Sequence, residues 1–123
     1  SPEIKSVIFK HPRVFELRTY VTAENRLKNL YARFRDHTCA IFEKHKMTNV
    51  AYWTPMDAKK GKDNTLIYII SHKSTDQSKK NWGAFIGDPA WKKARAASVK
   101  DGKILAKAPH KVFMNSTNYS PIQ

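Results

Sequence analysis

The sequence predicts an α+β fold with the element order strand, helix, strand, strand, helix, strand, the βαββαβ order of ferredoxin-like domains. Three observations lead there. Four short segments are strand-like in their apolar pattern, two longer ones carry apolar residues at three- and four-residue steps, and turn residues fall between them. The order implies a four-stranded antiparallel sheet with its helices on one face. At 123 residues the chain suits one domain, residues 1–123, with its core from about 13 to 121.

The first strand reads "VFELRTY", Val14 to Tyr20. Val14, Glu16, Arg18 and Tyr20 share one face, so a carboxylate and a guanidinium stand two residues apart among apolar neighbours. Whichever layer covers that face, a buried charge needs a partner. Pairing of Arg18 with a carboxylate of a second subunit is one arrangement that would supply it. Thr22 is the expected N-cap of a helix over residues 23–46. Its apolar stripe is Leu27, Leu30, Tyr31, Phe34, Thr38, Ile41, Phe42 and His45, which leaves Arg26, Lys28, Arg33, Arg35 and Lys44 mostly toward water.

"MTNVAYWTP" is a second strand that Pro55 stops, and "MDAKKGKDN" is a charged loop. "TLIYIISH" is the third strand, with Leu66, Tyr68 and Ile70 on one face and Ile67 and Ile69 on the other. Ser74 is the expected cap of a helical stretch through Trp82 and Phe85, broken at "GDP". Pro89 suits the first turn of a further helix that carries Trp91, Ala94 and Val99, with Gly102 as its stop. A fourth strand is centred on residues 112–115.

A third strand apolar on both faces has a consequence for assembly. Helices cover one face of the sheet, and an open apolar patch on the other exceeds what monomers usually show. A second copy packed sheet to sheet would cover it, giving a two-fold homodimer.

Composition narrows the function classes. Hydrophobic residues make up 41% and charged residues 27%, which fits a soluble globular chain, cytoplasmic or exported after removal of a leader. No apolar run is long enough to span a membrane. The single Cys39 excludes an internal disulfide and a cysteine zinc cage, and no HExxH or His/Asp cluster suggests another metal site. The net charge of +13 is the outlying number, and ten Lys and Arg against three Asp lie between His72 and Lys111. Lysines at helical spacing most often form a solvated face, though such a surface also attracts acidic partners. RNA-recognition domains share the element order, but "TLIYIISH" lacks their glycine and stacking aromatics, which disfavours nucleic acid.

"VFELRTY", "FRDHT" and "FEKH", "VAYWTP", "NTLIYIISH", "GDPAW" and "KVFMNSTNYSP", in this order, resemble the NIPSNAP family from about Arg13 to Pro121. The resemblance implies a dimeric α+β barrel. It places the chain in a superfamily that includes cofactor-free monooxygenases and haem-binding or haem-degrading proteins, while NIPSNAP members have no settled reaction or catalytic residues.

Pockets in such barrels lie between sheet and helices, and Tyr31, Phe34, Trp53, Tyr68, Trp82, Phe85 and Trp91 could line one. Aromatics at helical spacing also serve simply as core. The expected ligand is small and hydrophobic or aromatic, oriented by Arg18, Tyr20, His37 and His72. In an oxygenase Arg18, His72 or Tyr20 would stabilise an oxyanion. No cofactor is required by the sequence; haem would need an axial histidine, from His37, His45, His72 or His110. Whether the protein is an enzyme stays open at this level, beside the alternative of a basic interaction module.

Overall fold

The computed structural model describes residues 8, 9 and 11–123; the start of the chain, on which the expectation of a removed leader bears, lies outside the described residues. Strand β1 (Val14–Val21) is followed by a helix in three registers: α1 (Leu27–Arg33), a π-helical segment (Phe34–Thr38) and α2 (Cys39–Lys44). Then come β2 (Thr48–Trp53), a 3₁₀ turn (Ala58–Lys60), β3 (Thr65–His72), α3 (Thr75–Gly87), α4 (Pro89–Ser98) and β4 (His110–Met114). The sheet order is β2-β3-β1-β4 and every pairing is antiparallel, so the strands predicted first and third in sequence form its centre. This is the ferredoxin-like α+β arrangement.

The second helical region forms as its punctuation dictates. Ser74 accepts from the Gln77 amide at 3.0 Å, Asp88 accepts from Ala90 at 2.8 Å, and Pro89 opens α4, where its missing N–H leaves nothing unmet. Asp88 also receives Lys44 Nζ at 2.8 Å and His45 Nε2 at 2.6 Å, which fastens the "GDP" break to the far end of α2. Those two partners, Lys44 before His45, hold the Asp88 carboxyl well below its ordinary pKa.

The first helix departs from expectation in three places. Thr22 does not cap it: Thr22 forms an isolated bridge with Leu105, and the helix begins at Leu27 after Arg26, without a side-chain cap. Arg26 instead reaches across to the carbonyls of Ser98 and Gly102, both at 2.9 Å, and so docks the end of α4. The helix then passes into the π segment, where an extra residue per turn breaks the 3.6-residue phase. As a result Arg33, placed toward water by the periodicity, is 6% exposed, while Tyr31, placed on the stripe, is 36% exposed. Lys46, at φ 65, turns the chain out of α2.

The helix-facing side of the sheet carries Glu16, Arg18, Tyr20, Leu66, Tyr68, Ile70 and His72, packed on Leu30, Phe34, Phe42 and Phe85. On the opposite side the register aligns Val112, Leu17, Ile69 and Ala51 in a row, with Ile67 and Trp53 beside it. The tail after β4 borders one end of this side at Phe15 and Ile69, through Ser120 and Ile122. Over the rest no layer lies among the described residues, and Trp53 is 50% exposed.

Candidate functional site

Glu16 sits at the centre of the helix-facing layer, completely buried, and three elements converge on it. Its Oε1 accepts from His72 Nε2 of β3 at 2.8 Å and from Trp82 Nε1 of α3 at 2.9 Å; its Oε2 accepts from Arg18 Nη1 at 2.8 Å. Burial works to raise the Glu16 pKa, but the bonds from His72, Trp82 and Arg18 outweigh it and bring the group from 4.5 down to about 2. The carboxylate and guanidinium of "FELR" are thus each other's partner within one strand. This corrects the expectation of a partner across a dimer axis for Arg18.

Arg18 extends the network outward. Its Nε and Nη2 donate to the Tyr20 hydroxyl at 3.3 and 3.1 Å, and its guanidinium lies 4.2 Å from the centre of the Trp82 ring. Tyr68 donates to the same Tyr20 oxygen at 2.9 Å, so the Tyr20 proton is left for a further acceptor. Tyr68 and His72, both fully buried, therefore lie behind Tyr20 and Glu16 as supports.

In front of this network, between β1 and β4 on one side and the π segment, α3 and α4 on the other, is a cavity of about 690 Å³. One wall is a run of rings: Trp82 to Phe85 at 5.5 Å between centres and Phe85 to Trp91 at 4.6 Å. Phe34 and Phe42 form the floor. The charged lining is of one sign: Arg18 and Arg33 inside, Lys79, Arg95 and Lys111 toward the rim, with no carboxylate side chain on the surface of the cavity among the described residues.

Of the residues expected to bind a ligand, Arg18, Tyr20, Phe34 and Trp82 meet around this cavity. Tyr31 and Trp53 border a separate shallow groove beside Tyr52 and Cys39, and His37 is exposed on the π segment. None of the four histidines considered for haem lines the cavity. His72 and His45 are engaged by Glu16 and Asp88, and His37 and His110 are at the surface, so this donor set does not fit an axial imidazole. Among the described residues no cluster of metal-ligating side chains occurs, and no helix is long and apolar enough to cross a membrane.

Sequence reasoning missed Arg33. A 3.6-residue period sends it outward, and only the π segment, which stacks position 38 over position 33, brings it in. The one trace in the sequence is Thr38, a short hydroxyl side chain between Phe34 and Ile41 on the stripe; it donates to the Arg33 carbonyl at 3.2 Å.

A ferredoxin-like sheet with an aromatic, donor-lined cavity under its helices defines the class, an α+β fold shared with antibiotic-biosynthesis-type monooxygenases. The NIPSNAP family profile matches residues 15–121, and the chain belongs to the NIPSNAP family. Among solved structures it is similar to a NIPSNAP family protein of unknown function from Agrobacterium tumefaciens, at 20% identity and TM-score 0.74 over 95% of this chain and 99% of that one. A second NIPSNAP family protein from A. tumefaciens aligns at 17% identity and TM-score 0.76, over 97% and 98% of the two chains. SnoaB, a cofactor-independent oxygenase from Streptomyces nogalater, shares the fold at 12% identity and TM-score 0.55, over 87% and 95%. A comparison with curated proteins gives no match.

Proposed function

We propose that this NIPSNAP chain works as a homodimer that holds a small aromatic or hydrophobic ligand between its sheet and helices α3 and α4. The observation that carries the proposal is the cavity: its volume of about 690 Å³ lies in the range of small-molecule sites, and its apolar walls enclose a few convergent polar groups. An aromatic body would stack on the Trp82–Phe85–Trp91 wall, and the Tyr20 hydroxyl and the guanidiniums would orient its polar end.

The same inventory favours binding over oxygenation of the kind named for SnoaB. Arg18 and Tyr20 could hold an oxyanion, but substrate deprotonation needs a base within reach. The Glu16 carboxylate is occupied by three donors and no imidazole lines the cavity. A carrier or sensor role is the reading these groups support.

The homodimer rests on the other side of the sheet, where Leu17, Ile67, Trp53 and Val112 form one apolar surface with no covering layer among the described residues. Sheet-to-sheet packing about a two-fold axis would bury the same residues on both copies.

Native mass spectrometry of protein taken directly from cells tests both parts. A dimer with retained mass that disappears in Gly83→Phe is the expected result. Gly83 lines the cavity, and a Cβ placed there meets nothing within 4 Å, so the new ring enters free space. Ile67→Glu should yield a monomer that still folds, read by sedimentation and far-UV circular dichroism. A wild-type monomer would overturn the dimer, and a bare dimer that binds no aromatic probe would overturn the ligand.

A further inference from the structure

We infer that the ligand of this cavity is an aromatic carboxylate whose carboxyl group is received by Arg33 at the π segment. The inference rests on the binding reading above and assigns the chemical class of its ligand.

Arg33 is 6% exposed, and no carboxylate lies within ion-pair distance of it among the described residues. Its Nη1 donates to Ser98 Oγ at 3.2 Å, while Nε is buried with no hydrogen-bond partner among the described residues. Packing closes the Nε itself off, so where the residue lines the cavity a carboxylate would be met by the terminal nitrogens of the guanidinium. A buried guanidinium without a counter-charge is a costly feature in a folded chain. Burial, with the Arg95 cation acting in the same sense, lowers its pKa from the ordinary value. The other buried charges of this region are answered within the chain, Arg18 by Glu16 and Asp88 by Lys44.

The missing partner thus has to come from outside, and its charge follows from the count. One buried cation is unanswered, which one negative charge satisfies; Lys79, Arg95 and Lys111 are exposed at the rim, where water meets their charge. The body follows from the walls. The Arg33 guanidinium stands 5.2 Å from the centre of the Trp91 ring, at the end of the aromatic run, so a carboxyl held there directs its ring along Phe85 and Trp82. Placement of Arg33 by a π segment fits the recurrence of such bulges at functional sites.

Three probes of one shape decide the matter by calorimetry and tryptophan quenching: 2-naphthoate, neutral 2-naphthylmethanol and 2-naphthyl phosphate. The expected result is that 2-naphthoate binds the wild type about tenfold or more tighter than the alcohol. Arg33→Met should remove that preference while the alcohol still binds, and Arg33→Lys, which keeps charge but loses the fork, should restore part of it. Equal binding of naphthoate and alcohol, tighter binding of the phosphate, or an unchanged preference in Arg33→Met would overturn the carboxylate assignment and leave the cavity reading standing. If neither naphthoate nor alcohol binds the wild type, the cavity reading falls and takes this inference with it. Should Arg33→Met fail to fold, the wild-type ranking of the three probes and the Lys variant still decide.

Discussion

Two guanidiniums stand over two tryptophans at opposite ends of one aromatic wall, Arg18 over Trp82 and Arg33 over Trp91. At the Arg18 end a carboxylate two residues away in the same strand balances the charge, and His72 and Trp82 complete its hydrogen bonds. At the Arg33 end there is a serine hydroxyl, a buried Nε without a partner among the described residues, and no counter-charge among them. The first end is finished by the chain itself and serves as structure. The second is unfinished, and that difference separates a buried ion pair built into a fold from a buried charge held for a ligand.

Breaking the finished end should produce the largest effect. Glu16→Gln keeps the shape of the side chain but leaves Arg18 uncompensated, and it should lower stability by about 3 kcal/mol in urea unfolding. The same residue sets a pH dependence. Because the folded pKa of Glu16, about 2, lies below its ordinary 4.5, its contribution is complete above about pH 4.5 and declines as pH falls toward about 2. Asp88 shifts in the same direction, so the Glu16 part is read as the flattening of the acid limb in Glu16→Gln relative to wild type. Parallel acid limbs would show that the network around Glu16 adds nothing to stability.

The finished end was legible in the sequence and the unfinished end was not, for a physical reason. Strand alternation has a period of two that packing rarely disturbs, so "FELR" placed Glu16 and Arg18 on one face, while the layer over them and the identity of the partner stayed open. Caps behave likewise: Ser74 and Pro89 act over one turn, and both sit where the sequence put them. Thr22 failed because a β-bridge to Leu105, 83 positions on, took the backbone that a cap would have used. Arg33 failed because helical periodicity assumes a constant 3.6, and one π segment rotates everything on either side of it. Tyr31 and Arg33 exchanged environments through that single irregularity.

The same substitution made at both ends contrasts them directly. Arg18→Met strips Glu16 of its cation and should destabilise by about 2–3 kcal/mol. Arg33→Met removes a buried charge that nothing in the described chain answers, and it should be neutral or stabilising by about 1 kcal/mol, with the loss of the Ser98 bond set against relief of desolvation. Matched thermal melts of the unliganded proteins compare the two. A loss at Arg33 as large as that at Arg18 would mean that a partner within the chain compensates Arg33, and the two ends would then be alike.

The smallest effect concerns how the unfinished end is held. Thr38 is buried and its hydroxyl donates to the Arg33 carbonyl, across the turn that the π segment widens. Thr38→Val preserves volume and removes only that bond, so stability should fall by about 1 kcal/mol. The more informative reading is binding. If the hydroxyl helps to keep the bulge, and the bulge keeps Arg33 inside, Thr38→Val should weaken 2-naphthoate more than 2-naphthylmethanol, although Thr38 carries no charge. Equal loss for both probes would mean that Thr38 supports the cavity floor as a whole. A selective loss would tie the anion preference to the backbone irregularity at residues 34–38.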